Sequence, residues 1–320
     1  MSSFYTVFRK ELQDHFASWR FIFILLVVLL ASLYAVFVAA SNIRQAVTGS
    51  TDFVFLALFT TTLSSTASSL IPNSFLALMA VLIPIVGITL GFDAINSERN
   101  EGTLSRLISQ PIYRDNIINA KFLAGVMTIA ILLLSIVLLV SGLGMRMIGI
   151  PPSAEEVWRL LFFLIIGIIY GSFWLGLAIL FSTLFRQVAI SAIISIAIWL
   201  FFAFFYPIIF QFIAQGMGSA GDTQASIVRN YQTLITLQRI SPIQLFNEST
   251  IVILAPAMRS VSQMLQLYVS DIGNYLLPTP ISLGQSLLSV WPLLIVTVLL
   301  TIVCFAMSYL KFMFEEIRAT

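Results

Sequence analysis

The sequence predicts an all-α, polytopic membrane protein with six transmembrane helices, an N-terminal amphipathic helix and further helices between spans five and six. Of the 320 residues, 59% are hydrophobic and 9% are charged, whereas a soluble domain carries about 25% charged residues. Six apolar runs reach the roughly 20 residues that a helix needs to cross a bilayer. The composition excludes an ordinary globular fold and a disordered chain. The six runs are 21–40, 74–92, 122–145, 160–185, 188–213 and 286–310.

An amphipathic helix is expected before the first run. Phe4, Phe8, Leu12 and Phe16 recur every four residues, which predicts a helix that lies in the membrane interface with its aromatic side buried. The alternative is a plain helix next to the membrane. The polar residues expected to point away from the aromatic side are Arg9, Lys10, Glu11, Gln13 and Asp14.

The distribution of lysine and arginine predicts the orientation. Ten of the sixteen fall in one set of connections and six in the other set, which is much longer. We therefore expect a multi-pass protein of the cell (inner) membrane with both termini in the cytoplasm. The cytoplasmic set is 1–20, 93–121, 186–187 and 311–320, and the outer set is 41–73, 146–159 and 214–285.

The chain otherwise reads as a single transmembrane domain over residues 1–320, with one long outer segment at 214–285. Apolar residues at helical spacing and interrupting prolines predict helices near 223–239, 242–254 and 257–276. We expect these helices to lie on the membrane surface, and a loose outer loop is the alternative.

Small residues and prolines mark special positions inside the runs. Two glycine pairs with the spacing that allows close helix packing occur in the second and fourth runs. Prolines inside three runs are candidate kink sites, although membrane helices also tolerate proline without a functional reason. The glycine pairs are Gly87 with Gly91 and Gly167 with Gly171, and the prolines are Pro84, Pro207 and Pro292.

The residue types that are missing exclude several functions. None of the three lysines follows a glycine, so the chain has no P-loop for ATP. The six runs contain no ionisable residue, which argues against a carboxylate-relay transporter and against an intramembrane enzyme. One histidine and one cysteine cannot build a His/Cys metal site, and a net charge of +2 gives no reason to expect a nucleic-acid partner. We predict no catalytic, cofactor-binding or metal-binding residue.

Residues 93–121 are the longest polar segment on the predicted cytoplasmic side. The second span is expected to continue to about Glu98, and Gly102 permits a sharp turn. Thr103 can then cap a short helix that ends before Pro111. A further helix is expected to begin near Arg114 and to run into the third span.

The short helix in this loop presents an apolar face of Leu104, Leu107 and Ile108. An apolar face ringed by charges is typical of a docking surface for a soluble partner. The alternative is a solvated turn that packs on its own helices. The surrounding charged residues are Glu98, Arg99, Glu101, Arg106 and Arg114.

The loop resembles the cytoplasmic loop of ABC-2 type permeases, which are the membrane subunits of type V ATP-binding-cassette exporters. The resemblance is carried by Glu98-x-x-Glu101-Gly102-Thr103-Leu104, then Leu107-Ile108-Ser109-x-Pro111-x-x-Arg114, then Lys121. The N-terminal Arg9-Lys10-Glu11-Leu12 resembles the elbow helix of these permeases, and Ser241-Pro242 followed by Phe246 is similar to a motif of their outer segment. The subgroup that it resembles most includes the permease for nitrous oxide reductase maturation. The sequence differs from the family in Gln110 and in its long 214–285 segment.

This resemblance implies that residues 102–110 form a coupling helix that inserts into a separate ATPase subunit. Two ATPase copies would bind the ATP and Mg, and two permease copies, or this chain and a similar permease, would form the channel in the lipid bilayer. The substrate would be an amphiphile or another compound that the sequence does not identify. The residues implied in ATPase contact are Glu98, Arg99, Glu101, Gly102, Thr103, Leu104, Arg106, Leu107, Ile108 and Arg114, and those of the elbow helix are Phe8, Arg9, Lys10, Glu11 and Leu12.

Two other functions fit the same sequence. The chain could be a membrane assembly or maturation factor that works with the same ATPase on an extracytoplasmic protein. It could also be an ATP-independent channel or scramblase, for which a missing ATPase partner would be the discriminating observation. A membrane enzyme is a third alternative that lacks catalytic side chains.

Overall fold

A computed structural model of the chain describes residues 3–46, 53–60, 74–102, 113–217, 233–256 and 281–314. Within these ranges the chain is helical and contains no strand. Six of the described helices are long and apolar enough to cross a membrane, which confirms the predicted fold class. The six are Trp19–Ile43, Phe75–Asn100, Arg114–Ile148, Ala154–Leu184, Val188–Phe210 and Leu283–Phe314.

The helices are numbered here in chain order. They are α1 (Ser3–Ala17), α2 (Trp19–Ala46), α3 (Val54–Thr60), α4 (Phe75–Gly91), α5 (Asn96–Asn100), α6 (Arg114–Ile148), α7 (Ala154–Leu184), α8 (Val188–Leu200), α9 (Tyr206–Met217), α10 (Pro242–Leu254) and α11 (Leu283–Phe314). Residues 233–238 are also helical. The other parts of the predicted outer helices, 223–232 and 257–276, lie outside the described residues.

The fourth span, α7, lies at the centre of the bundle and contacts α4, α6, α8, α10 and α11. The glycine pairs explain how closely α4 approaches it. A methyl group added at Gly87 would lie 2.8 Å from the carbonyl oxygen of Gly171, and one at Gly91 would lie 2.8 Å from that of Leu175. Glycine at these positions lets the two backbones come into direct contact.

Helix α10 begins and ends close to the predicted bounds, but its predicted location was wrong. The helix does not lie on the surface of the bundle, because most of its side chains are buried against α4, α7 and α11. Phe246 stacks on Tyr170 with ring centroids 4.4 Å apart, and Tyr170 donates a hydrogen bond to the carbonyl of Ala80. Burying these rings removes more apolar surface from water than a surface position would.

The predicted kink at Pro207 coincides with a change of helix type in the fifth span. Residues Phe201–Phe205 form one π-helical turn between α8 and α9. The amide of Tyr206 donates to the carbonyl of Phe201, five residues back. Pro207 has no N–H to offer the carbonyl of Ala203, so the regular hydrogen-bond series is broken at this position.

The second span extends past Glu98 to Asn100, in agreement with the prediction, but a turn that was not predicted interrupts its helix. Helix α4 ends at Gly91, residues 92–95 form a turn, and the short helix α5 follows. The turn at Gly102 was correctly predicted, since its φ is +68°, a conformation that glycine adopts without strain. The helix predicted near Arg114 begins at that residue.

Candidate coupling site

A buried lysine joins the N-terminal helix to both flanks of the 103–112 segment. The Nζ atom of Lys121 lies 3.0 Å from Glu11 Oε2 and 2.9 Å from Glu98 Oε1. The side chain of Lys121 is only 6% exposed, and both carboxylates are largely buried. We call Glu11, Glu98 and Lys121 the charge cluster.

Each member of the charge cluster comes from a different helix. Glu11 lies in the middle of α1, Glu98 in α5, and Lys121 in the second turn of α6. These pairs connect parts of the chain that are far apart in sequence, since 110 positions separate Glu11 from Lys121. Removing one partner of a buried ion pair leaves the other charge without compensation, so the three helices are held together.

Helix α1 turns Val7 and Glu11, rather than its aromatic residues, toward the bundle. Val7 and Glu11 are buried, while Phe8 and Leu12 are half-buried and Phe16 is exposed. Glu11 was expected to point away from the buried side, and this was wrong because Lys121 supplies a charge partner inside the bundle. The aromatic side is left partly exposed, which is where an interfacial helix would meet lipid.

Further charged groups surround the cluster. Lys10 Nζ lies 3.4 Å from Glu11 Oε1 and 3.9 Å from Glu98 Oε1. Arg20, at the start of α2, is 2.5 Å from a carboxylate oxygen of Asp93 in the turn after α4. The ends of the first two spans are thereby linked beside the cluster.

Two adjoining cavities of about 170 Å³ and about 310 Å³ lie beside the charge cluster. The larger cavity is lined by charged groups of α1, α5 and α6, and the smaller extends between α1, α2 and α4 to apolar side chains. Within the described part of the chain, no three His, Cys, Asp or Glu side chains are placed to hold a metal ion. The residues that line both cavities are Glu11, Asp14, His15, Leu90 and Asp93.

Two ionisable groups of α1 have altered pKa values. Burial raises the pKa of the Glu11 carboxyl, but the charge and hydrogen bond of Lys121 outweigh burial, so the pKa lies below its ordinary value of 4.5. Burial lowers the pKa of the His15 imidazole below its ordinary value of 6.5, against the opposing attraction of Glu11. At neutral pH Glu11 is therefore charged and His15 is neutral.

The flank before the 103–112 segment is also bound to the fourth span. Ser182 Oγ accepts hydrogen bonds from the backbone amides of Ile95, at 2.9 Å, and Asn96, at 3.2 Å. These amides lie at the start of helix α5. The residue at the cap position, Ile95, has no side chain that can accept their hydrogen bonds. Ile95 also belongs to a small apolar cluster with residues from α6 and α11, namely Ile117, Ile118 and Phe312.

The structure describes five of the ten residues predicted to contact an ATPase. Glu98 belongs to the charge cluster, Arg99 and Arg114 are half-buried, and Glu101 and Gly102 are exposed. In the elbow helix, Glu11 is buried, Phe8 and Leu12 are half-buried, and Arg9 and Lys10 are exposed. The other five predicted contact residues, Thr103, Leu104, Arg106, Leu107 and Ile108, lie outside the described residues.

Sequence reasoning missed a second buried cation, Arg159. It lies near the start of α7, whereas Ser182 lies near the end of the same helix. The side chain of Arg159 is fully buried and donates to the carbonyls of Ile253, at 2.8 Å, and Ile281, at 2.7 Å. It also donates to Glu155 Oε1 at 2.7 Å and to Ser286 Oγ at 3.3 Å. One guanidinium therefore holds the end of α10 and the start of α11 on the fourth span.

Arg159 was assigned to a connection because the fourth span was drawn from its charge-free run at 160–185. The sequence contained a signal for an earlier start, since Ser153 and Glu156 have the spacing of a capping box. The structure forms this box at the start of α7: Ser153 Oγ accepts from the Glu156 amide, and Glu156 accepts from the Ser153 amide. Reading that motif would have placed Arg159 inside the helix.

The fold and these contacts define a polytopic helical membrane protein in which the N-terminal helix and the fourth span hold the flanks of the 103–112 segment. The chain belongs to the ABC-2 family of transporter proteins, because the sequence profile described as "ABC-2 family transporter protein" matches residues 5–317. Such a chain is a membrane permease component of an ATP-binding-cassette transporter and is not itself catalytic. Comparison with curated proteins gives no match.

Proposed function

We propose that this chain is the permease subunit of an exporter that a separate ATPase drives through residues 93–121. One observation carries the proposal. Both flanks of the 103–112 segment are bound to the bundle, through Lys121 and through Ser182, whereas Glu101, Gly102 and Tyr113 beside the segment are exposed. A protein that binds the exposed part could therefore act on α1 and on the second, third and fourth spans together.

The proposed placement is in the cell (inner) membrane with both termini in the cytoplasm. It is supported by the excess of lysine and arginine in the connections that include residues 93–121. The charge cluster would then lie on the cytoplasmic side, where an ATPase is available, and Arg159 would lie near the outer side.

The proposed mechanism begins when ATP and Mg close two ATPase subunits on each other. The coupling helix at residues 102–110 moves with them, and the third span follows because α6 continues directly from the loop. The second span is interrupted at residues 92–95, so its movement depends on the charge cluster and on the contact with Ser182. Tilting of these spans opens or closes a path between two permeases.

A second permease subunit, identical or similar, is part of the proposal. The first, fifth and sixth spans of the chain are largely exposed, unlike the second, third and fourth. Their exposed residues are mostly large and apolar, so lipid or another permease must cover them. A homodimer with two ATPase copies satisfies this requirement.

The proposed substrate is an amphiphile. The charged side chains of the described spans lie close to the span ends, as Lys121 and Arg159 do, and the predicted charge-free runs lie between them. A path between such spans would suit apolar groups better than a small ion.

A maturation factor for an extracytoplasmic protein is the second candidate function. Arg159 binds the carbonyls of Ile253 and Ile281 and thereby fixes the chain on both sides of residues 257–280. This fixed position favours the maturation factor. The resemblance to the nitrous oxide reductase maturation subgroup agrees with this candidate. Copurification of an outer protein without ATP-dependent flux into vesicles would distinguish it from export.

The proposal is tested by placing a charge on the apolar face of the coupling helix. Leu104→Asp and Leu107→Asp should each abolish the stimulation of ATP hydrolysis that the permease gives its ATPase, because a carboxylate is costly to bury in an apolar cleft. The measurement is the ATPase rate of the complex in proteoliposomes, with membrane insertion checked in parallel.

Ser105→Asp is the matched control, since it adds the same charge off the predicted apolar face and should retain most of the stimulation. Full stimulation in both leucine variants would contradict the docking role. Flux that continues without any ATPase would instead favour a channel or scramblase.

A further inference from the structure

The fourth span makes polar contacts at both of its ends with segments that belong to other parts of the chain. At one end Ser182 accepts hydrogen bonds from the amides of Ile95 and Asn96, which lie in the part of the coupling loop (residues 93–121) that precedes the 103–112 segment. Ser182 is fully buried, so water cannot replace its oxygen as the acceptor for these two amides. The hydroxyl thereby acts as a helix cap that a different helix supplies.

Close packing supports this contact along the second span. Gly87 and Gly91 of α4 face the backbone of α7 at distances that leave no room for a methyl group. Packed interiors have little free volume and transmit displacement rather than absorb it. A shift of the loop flank should therefore be passed to α7 with little slippage.

At the opposite end, Arg159 binds two carbonyls that lie on either side of residues 254–280, within the long outer segment. Ile253 belongs to the last turn of α10, and Ile281 directly precedes α11. The guanidinium is planar and its donors are fixed in direction, so the two carbonyls must follow when α7 moves. Glu155, on the same helix, is bonded to the guanidinium and balances its charge.

No proline interrupts α7 between these two contacts, whereas α4, α11 and the fifth span each contain one. Helix α7 is continuous over 31 residues, and Arg159 and Ser182 lie about 35 Å apart along its axis at 1.5 Å per residue. A continuous helix of this length carries a tilt at one end to the other end as a rigid body.

We propose that the fourth span transmits displacement of the coupling loop to the segment between α10 and α11, with Ser182 and Arg159 as the positioning residues at its two ends. This inference rests on the proposed coupling to an ATPase and adds the route and the destination of the movement. The described residues that would move are Ile253 and Ile281, whose carbonyls Arg159 binds.

The test uses the complete permease with its copurifying ATPase in proteoliposomes. A single reporter cysteine replaces exposed Ser282, next to Ile281, in a chain whose native cysteine is removed by Cys304→Ser. The reaction rate of the reporter with a water-soluble maleimide is measured with and without ATP. The variants are Ser182→Ala and Arg159→Lys, and the matched control is Ser172→Ala, whose hydroxyl bonds only to a carbonyl of its own helix, that of Ile168.

In the control, ATP should change the labelling rate as in the unsubstituted reporter chain. Ser182→Ala and Arg159→Lys should each reduce this ATP-dependent change by about fivefold or more, the effect of losing a typical coupling free energy. Copurification of the ATPase should stay as in the control, and the rate with ATP is compared for each variant with the rate of the same variant without ATP. The double variant should be no worse than the more severe single variant, because both residues act in one route.

A response of Ser182→Ala and Arg159→Lys equal to that of Ser172→Ala overturns the inference and leaves the proposed function intact. Effects of the two changes that simply add also overturn it, since they indicate separate routes. If the unsubstituted reporter chain shows neither stimulated ATP hydrolysis nor an ATP-dependent rate, the proposed function fails and the inference fails with it.

Discussion

At the scale of single residues, the account depends on Lys121. Its ammonium is buried and paired with Glu11 and Glu98, so it adds a charge contact that fixes the N-terminal helix beside the coupling loop. The three side chains came from segments that sequence reasoning had assigned to the same side of the membrane. Their direct contact was not predictable, because no periodicity connects Glu11 with Glu98 or Lys121, and Glu98 and Lys121 lie on different helices.

Replacing this lysine tests its contribution to stability. Lys121→Met should lower the free energy of unfolding by about 3 kcal/mol, since it leaves two buried carboxylates without their cation. Thermal unfolding in detergent measures the change. The matched control Lys311→Met removes an exposed lysine and should stay within about 0.5 kcal/mol. Equal losses in the two variants would show that Lys121 contributes no more than a surface charge.

His15 should make stability depend on mild acidification. Its pKa is lowered in the fold by burial, with Glu11, Asp93 and Asp14 opposing and Lys121 adding to the effect. The unfolded chain therefore binds a proton that the folded chain does not, and stability is lost as the pH falls below about 6.5. The lowered pKa of Glu11 adds to this loss only below its ordinary value of 4.5.

Melting temperatures between about pH 7.5 and about pH 5.5 measure this dependence. The unmodified protein should melt at lower temperature at the acid end, and His15→Gln, which removes the only histidine of the chain, should flatten the curve. An identical pH dependence in both proteins would contradict the assignment.

At the scale of helices, the contact between the second and fourth spans sets the geometry of the loop flank. Gly91→Ala would place a methyl group 2.8 Å from the carbonyl oxygen of Leu175 and equally close to Ala178 Cβ. Neither neighbour is the flexible end of a side chain. The helices must separate, and we expect a loss of about 1–3 kcal/mol.

Gly142→Ala is the control for this change, because a methyl group there would meet nothing within 4 Å. It should be neutral or slightly stabilising in a helix. Thermal unfolding of both variants provides the comparison. If the Gly91→Ala variant is as stable as the Gly142→Ala variant, the second and fourth spans are less closely packed than the structure indicates.

The elements show where sequence reasoning succeeds. The six spans followed from apolar length alone, and the start of α10 at Pro242 and the turn at Gly102 followed from local residue chemistry. Two of the errors concerned tertiary contacts. The buried face of α1 was set by Lys121 rather than by its aromatic spacing, and α10 was placed on the surface although aromatic partners inside the bundle bury it.

At the scale of the whole molecule, polar contacts at both ends of the bundle connect the coupling loop with the outer segment. The charge cluster and Ser182 lie at one end, and Arg159 lies at the other. We propose that the apolar bundle between them carries mechanical displacement from one set of contacts to the other. This arrangement fits a permease component, whose energy comes from nucleotide bound elsewhere.

Cross-linking can show whether the ATPase docks on the coupling loop. The chain carries Leu107→Cys with Cys304→Ser, and the assembled complex is treated with a short thiol cross-linker. The account predicts a product that joins the permease to the ATPase, and protection of the cysteine from cytoplasmic maleimide when the ATPase is present. A cysteine that reacts from the outer side, or that reacts equally with and without the ATPase, would contradict the account.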